Sequence, residues 1–510
     1  MELNTGFNGG SIYGSSGFRY TYEDFTKAAQ QGEDTKQALI IQCINLWKDT
    51  DRVVDYAVAS AYNNENNPTI MGRQFFYRTK VKSKDSITGE VKDIETLRKS
   101  EFKANYKIAN GIFSNIITQK VQYLLGNGVQ LSDEDKVGKF DMQSVKGELG
   151  THIDRKVQIA GEEASLGGVA WAYCYLQNNK FNFQVFNCSE FIPLVSMETN
   201  LLMVGIRFWE VLIKNTRFVE LYEQDGMTRY MVVGNKFTIV QPKTPYKRTM
   251  IAYTDGIYTL NSQEVFELPI VPFYNNVVRK GDLTPGLRNK LDLFDIVLSD
   301  FGNNLTDANE VFWVLENYKG QDVDEFKREL EAYRAIRIKT DGTTKGSATP
   351  HTVEIPYNAR QTCLDILRKQ IYNDAMAMDT DAIRGGSLTN VAIKAAQSNL
   401  DQKAASFEWG AIDFISGIVK IWKLFTGRQD KVKVDDFIRR TLVNDTEIIQ
   451  NLMNSPYLSD RTKRERNPYS ADDEDARVEQ ERNFLTVSDE VYDERLRGAV
   501  QYDGQGASAN

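Results

Sequence analysis

Between Asn390 and Phe425 an apolar helical pattern runs on without a proline, and Thr389 or Asn390 is placed to cap its start. At 1.5 Å per residue, a helix of about 36 residues is roughly 54 Å long, well beyond the width of a small domain. A chain with such a strut must wrap other elements around it or carry it into a larger assembly. Gly410 and Gly417 fall inside it and are expected bend points. The stretch Ala411 to Phe425 is a poor membrane span, because Asp413, Lys420 and Lys423 interrupt it.

The elements before the strut form an unusual series. An apolar, Pro-rich strand, Leu268 to Asn276, leads to a helix that Thr284 caps and Pro285 opens. Its stripe is Leu287, Leu291, Phe294, Leu298, Phe301 and Leu305, a seam for packing against another helix. A small insert follows, with strands at 311–315, 335–339 and 351–355 and a helix at 322–333. Pro356 opens a second helix striped by Ala359, Cys363, Leu367, Ile371, Ala375 and Met378. Gly385-Gly386 then breaks the chain. Read locally, the loop from Asp381 to Leu388 is first a helix–helix connector; the other reading is a mobile loop that exposes Ile383, Arg384 and Leu388 on purpose.

Upstream, 35–61 reads as a helix, 71–82 as a strand and 85–91 as a turn. Residues 103–125 read as a helix stopped by Gly126-Asn127-Gly128. Alternating aromatic and β-branched runs at 169–176, 181–186, 205–213, 217–222, 229–233, 237–240 and 249–253 predict an antiparallel, β-rich domain. A strand at 431–438 and charged helices over 446–497 complete an α+β fold class. The ends, 1–40 and 493–510, are expected to be flexible.

The 510 residues carry a net charge of −8, which excludes a protein whose main task is gripping nucleic acid. Cys43, Cys174, Cys188 and Cys363 are scattered and fit reduced thiols. Met1 to Phe18 is polar and Gly/Ser/Asn-rich, so the expectation is a soluble protein made inside the cell. Catalytic signals are missing. There is no GxxxxGK[ST], and His152 and His351 belong to no metal-ligand spacing, so neither cofactor nor metal is expected. The acidic run from Asp472 to Asp475 reads as a solvated helix start.

In this order the parts resemble the portal proteins of tailed double-stranded-DNA bacteriophages, of the siphophage type. Glu267 to Asn276, Glu325 to Ile338, Glu354 to Arg360, Gly386 to Ala396 and Arg440 to Asp445 with Ser459 to Thr462 carry the resemblance, over roughly residues 100–480. It implies a wing at 41–280 with a return at 428–440, and a stem at 281–309 and 356–379. A clip at 310–355, a tunnel loop at 380–389, a long kinked helix at 390–427 and a crown at 441–492 complete the portal fold. The implied stem-packing residues are Leu287, Leu291, Leu298, Leu305, Ala359, Cys363, Leu367 and Ile371. Val311, Phe312, Trp313, Val314, Leu315 and Arg337 would dock the motor and connectors. Asp381, Ile383, Arg384, Gly385, Gly386, Ser387 and Leu388 would face DNA, with Arg384, Lys394 and Lys403 touching phosphate.

The implied function is non-enzymatic: a homo-oligomeric ring of about twelve subunits at one capsid vertex of the virion, assembled in the host cytoplasm. Its partners would be duplex DNA, terminase, major capsid and scaffold proteins, and head–tail connector proteins, with no membrane. A virion adaptor without a DNA channel is the alternative.

Overall fold

Thr21 opens the first helix with a reciprocal cap. Its hydroxyl accepts the Asp24 N–H at 3.4 Å and its own N–H donates to the Asp24 carboxylate at 3.0 Å. The computed structural model describes residues 18–84, 91–99, 104–133, 141–178, 180–211, 216–246, 251–254, 257–260, 268–307, 312–316, 347–351, 357–382, 390–428, 431–439, 444–471 and 473–483. Helix α1 (Tyr22–Gln31) is followed by α2 (Glu33–Lys48) and α3 (Asp51–Asn63). The single helix expected over 35–61 is therefore two. They part at Thr50, whose hydroxyl donates to the Trp47 carbonyl at 2.7 Å and ends the first. Residues 22–40, expected to belong to a flexible arm, are helical and bury Phe25, Ala28 and Ile40.

Helix α4 (Pro68–Met71) precedes the antiparallel hairpin of β1 (Phe76–Lys84) and β2 (Val91–Lys99). The helix expected from 103 starts only at α5 (Ile112–Leu125); residues 104–110 are extended. Then come β3 (Leu131–Asp133), α6 (Met142–Glu148) and α7 (Ile153–Gly167).

The β-rich region holds β4 (Val169–Gln177), β5 (Lys180–Asn187), β6 (Phe191–Val195), β7 (Leu202–Val211), β8 (Thr216–Glu223), β9 (Gly226–Val233) and β10 (Lys236–Thr244). Strands β6 to β10 form one antiparallel meander. Its inner face buries Val204, Ile206, Val219, Leu221 and Val232 with Phe25, Ile44 and Trp47 of α1 and α2. Strands β11 (Ile251–Thr254) and β12 (Ile257–Leu260) pair with each other. The Pro-rich strand is β13 (Ile270–Tyr274), on the edge of a sheet ordered β13-β4-β5. An edge tolerates Pro272, which has no N–H to donate.

Helix α8 (Pro285–Asp307) leads to β14 (Phe312–Glu316), paired antiparallel with β15 (Ser347–His351). Of the strand expected at 351–355, His351 belongs to β15; residues 352–355, the helix at 322–333 and the strand at 335–339 lie outside the described residues. Helix α9 (Tyr357–Asp374) and the long α10 (Asn390–Thr426) follow. Strand β16 (Val432–Val434) returns to pair with β3.

Two compact units divide the chain: Met1–Asp379 with Asn399–Arg440, and Thr380–Ser398 with Thr441–Asn510. The second contains α11 (Asp445–Asn454), α12 (Asp460–Glu465) and a helical stretch at 474–483.

In the first unit Phe407, Phe414, Ile418 and Trp422 of α10 are fully buried beside Phe183 of β5 and Phe273 of β13. The two glycines of α10 have a packing role that the expected bends do not capture. A Cβ on Gly410 would collide with the Tyr274 carbonyl, and one on Gly417 would come within 2.6 Å of Val271 Cγ1. Both let the helix lie directly on β13, and α10 stays helical through both. Among the described residues no helix is long and apolar enough to cross a membrane.

Candidate functional site

The segment that leads into α8 is anchored at a buried charge cluster around Asp282. Lys120 of α5 reaches Asp282 Oδ2 at 2.8 Å and Ser165 Oγ of α7 at 3.0 Å, and also donates to Asn275 at the end of β13. Its ammonium sits 4.1 Å from the centroid of the Phe407 ring. Lys403 of α10 approaches Asp282 at 3.5 Å and donates to the Ala375 carbonyl at 2.8 Å. Asn275 Nδ2 donates to Asp282 Oδ1 at 3.0 Å. Burial, the largest influence on Asp282, pushes its pKa up, but Lys120, Lys403 and the hydrogen bonds together hold it down at about 2. Burial pushes Lys120 down to about 8, against the pull of Asp282. The cluster joins α5, α7, α10 and the segment between β13 and α8 at one point.

From this anchor the apolar stripe of α8 changes surroundings along its length. Leu287 and Leu291 are buried in the subunit's own core, Leu298 is half-buried, and Leu305 is 51% exposed. Helix α9 lies against α8 and does the same in reverse. Leu367 and Ile371 are buried, Cys363 is half-buried, and Ala359 is exposed. Near the root of the pair the stripe belongs to the monomer. Leu305 and Tyr357 at the other end, and Leu293 and Ile366 part-way along, leave apolar surface uncovered.

A second stripe on α8 is polar, and the apolar periodicity hides it. Asp295, Ser299 and Asn303 are all buried, each four residues from the next. They accept the backbone N–H groups of Asn110 at 3.1 Å, Ile108 at 3.0 Å and Tyr106 at 2.6 Å. Asn303 and Ser299 also donate to the carbonyls of Tyr106 and Ile108, at 3.5 and 3.4 Å. Side chains of a helix here do what a neighbouring strand would do, and residues 104–110 are held extended as a strap along α8. Burial raises the Asp295 pKa, against hydrogen bonds from Asn67 and Asn110. Polar residues at i, i+4 and i+8 on a helix that is otherwise amphipathic were the available signal.

Both ends of the loop after α9 are fixed. On the incoming side Arg368 grips Asp379 through two hydrogen bonds, at 2.9 and 3.2 Å, and Gln119 exchanges two with Met378, at 2.9 and 3.0 Å. Asp381 is exposed in a 3₁₀ turn, Thr380–Ala382. Ile383, Arg384, Gly385, Gly386, Ser387 and Leu388 lie outside the described residues. On the outgoing side Asn390 and Asn444 clasp each other, at 2.7 and 3.2 Å, and the Asn390 N–H donates to Glu447 at 2.5 Å. Lys394 is exposed, whereas Lys403 faces the interior cluster and is only 14% exposed. Phe312, Trp313, Val314 and Leu315 lie on β14; Val311 and Arg337 are outside the described residues. Among the described residues no group of acidic, His or Cys side chains is gathered for a metal ion.

The family model for phage portal proteins of the SPP1 Gp6-like type matches residues 60–483. The chain belongs to this portal family. Its relatives include the portal protein of Clostridium phage phiCD119, 26% identical over 412 residues, 77% of this chain and 86% of that protein. The portal protein of Bacillus phage SPP1 is 23% identical over 409 residues, 75% of this chain and 77% of that protein. Among solved structures, a neck of an empty GTA particle computed with C6 symmetry matches with a TM-score of 0.39 and 12% identity, over 70% of this chain and 89% of that one.

Proposed function

We propose that this chain forms a dodecameric ring at one vertex of a phage capsid, the channel through which duplex DNA enters during packaging and leaves at ejection. Membership of the portal family over residues 60–483 carries the reading. In it α8 and α9 are the stem, and the insert around β14 and β15 is the clip that docks the terminase motor and later the connector proteins. Residues 380–389 face DNA, and the unit containing α11 and α12 is the crown. The wing would meet capsid and scaffold proteins.

The exposed apolar surface of the stem supports this. Leu293, Leu305, Tyr357 and Ile366 offer a neighbouring copy apolar surface to bury. A subunit of net charge −8, repeated around a ring, gives an anionic wall that repels phosphates, which suits a conduit that must not hold its cargo. Lys394 would supply weak, transient phosphate contacts. The subunit itself performs no catalysis, and the energy for packaging comes from the docked motor.

Electron microscopy of the purified protein, alone and with scaffold and capsid proteins, tests the reading. Twelve-fold rings with a channel wide enough for duplex DNA are expected. Closed particles without a channel under both conditions would refute it and favour an adaptor.

A further inference from the structure

The α8–α9 pair leaves the body of the first unit and returns to it at two neighbouring feet. At the outgoing foot α9 stops on a turn that bonds back on itself. The Ala377 N–H donates to the Tyr372 carbonyl at 2.9 Å, and the Met376 N–H to the Asn373 carbonyl at 3.1 Å. Met376 takes the left-handed conformation this turn needs, at φ 52°, where glycine is the usual residue. A turn with a side chain in that conformation keeps its shape only while its surroundings hold it. The Ala375 carbonyl, at the negative end of α9, is left to a side chain from elsewhere: Lys403 of α10 donates to it at 2.8 Å.

At the incoming foot the chain is seated against the end of α7. The Asp282 N–H donates to the Ser165 carbonyl at 2.8 Å and the Asn275 N–H to the Gly168 carbonyl at 3.1 Å. A Cβ on Gly281 would collide with the Leu166 carbonyl. Thr284 caps α8 two residues after Asp282, so Asp282 puts an acid near the positive end of that helix. Lys403 forms an ion pair with this acid at 3.5 Å.

The supports of the two feet differ in reach. Neighbouring residues of α5 divide them: Gln119 bonds to Met378 of the outgoing foot, and Lys120 to Asp282 of the incoming one. Lys403 reaches both with a single ammonium, whose three donors sit on one point charge. Lys290 of α8 also pairs with Asp374 at the end of α9, but both side chains there are about a third exposed and water screens them.

We infer that Lys403 is a conformational latch: it joins the end of α9 to the foot of α8, so that the two feet hold or release together. The outgoing foot is the root of the segment that runs into residues 380–389. A displacement at the foot of α8 therefore reaches that segment through one side chain. The latch belongs to the single chain and goes beyond the ring reading, so either can fail while the other stands.

Hydrogen exchange followed by mass spectrometry on the full-length chain tests it, in Asp282→Asn, Lys403→Met and the double variant. Asp282 makes no contact with residues 376–378 except through Lys403 or α5. Exchange at 376–378 is expected to quicken several-fold in each single variant and no further in the double. The amides of 404–420 in α10 should stay protected, which separates the latch from general loosening. An effect of Asp282→Asn confined to 275–284 would overturn the latch, as would single effects that multiply in the double. The unsubstituted chain in urea below its unfolding transition answers the same question should a variant fail to fold. The Asp282, Ala377 and Met378 amides are expected to share one opening with one urea dependence, and openings at separate urea concentrations would overturn the latch.

Discussion

Replacing Lys120 by Met removes the cation at the centre of the buried cluster and leaves Asp282 in place. At 2.8 Å and an effective dielectric of about 20, the attraction between the two is about 6 kcal/mol. Desolvation of both ions offsets most of that in the intact pair, so the pair's net contribution is small. Losing one partner is different, since the remaining charge keeps its desolvation cost without its compensation. That puts Lys120→Met at about 3–5 kcal/mol of destabilisation, nearer the lower figure because Lys403 still stands 3.5 Å from Asp282.

The cluster also has a pH signature. Asp282 is held at about 2 against an ordinary 3.8, worth about 2 kcal/mol. A depressed carboxylate contributes fully above its unfolded pKa, so this stability is present above about pH 4 and drains away as pH falls towards 2. Asp282→Asn should lack that part of the acid slope. Urea unfolding followed by tryptophan fluorescence, at pH 7 and through the acid range, measures both effects. A cost below about 1 kcal/mol for Lys120→Met would refute the reasoning. So would a Lys120→Met/Asp282→Asn double variant whose cost equals the sum of the singles within about 0.5 kcal/mol.

Ser299→Ala should leave the Ile108 N–H without its acceptor, cost about 1–3 kcal/mol, and speed amide hydrogen exchange across 106–110 while α5 stays protected. Gly410→Val should prevent α10 from seating on β13, since its Cβ would meet a carbonyl; Gly417→Ala should cost less, about 1–3 kcal/mol, because it meets a movable valine. Soluble yield and thermal unfolding rank the two. Leu305→Asp should leave the monomer's unfolding unchanged and block assembly, seen by sedimentation. Leu291→Asp should unfold the monomer itself, because that residue is buried in its own core.

Strands β7 to β10 were legible from their β-branched and aromatic runs, whereas β6, buried at all five positions, carries no alternation and was not expected. The starts of α8 and α10 were legible from Thr284-Pro285 and Asn390. Helix α1 was missed although Thr21 and Asp24 spell its capping box. The strap could not be read locally. Ile108, Ile112 and Ile116 keep helical spacing, yet the backbone at 106–110 is pulled straight by acceptors more than 180 residues away. Gly410 and Gly417 were legible as exceptional but not as contacts, because the reason for them lies in Tyr274 and Val271. Likewise the apolar stripe of α8 gave the face but not its owner. Leu287 and Leu305 look alike in sequence and differ only in what the fold brings to them.

The strap on α8 sets two scales side by side, like a vernier. Four helical residues advance about 6.0 Å, and two extended residues about 6.6 Å. The rungs nearly coincide, then drift by about 0.6 Å at each step. The three contacts lengthen in that order, from 2.6 Å at Asn303 through 3.0 Å at Ser299 to 3.1 Å at Asp295. The strap ends after the third rung, at Gly111, the N-cap of α5. Such a scale reads correctly at one setting only. Sliding it costs every rung at once, so the position of the strap along α8 is quantised rather than adjustable.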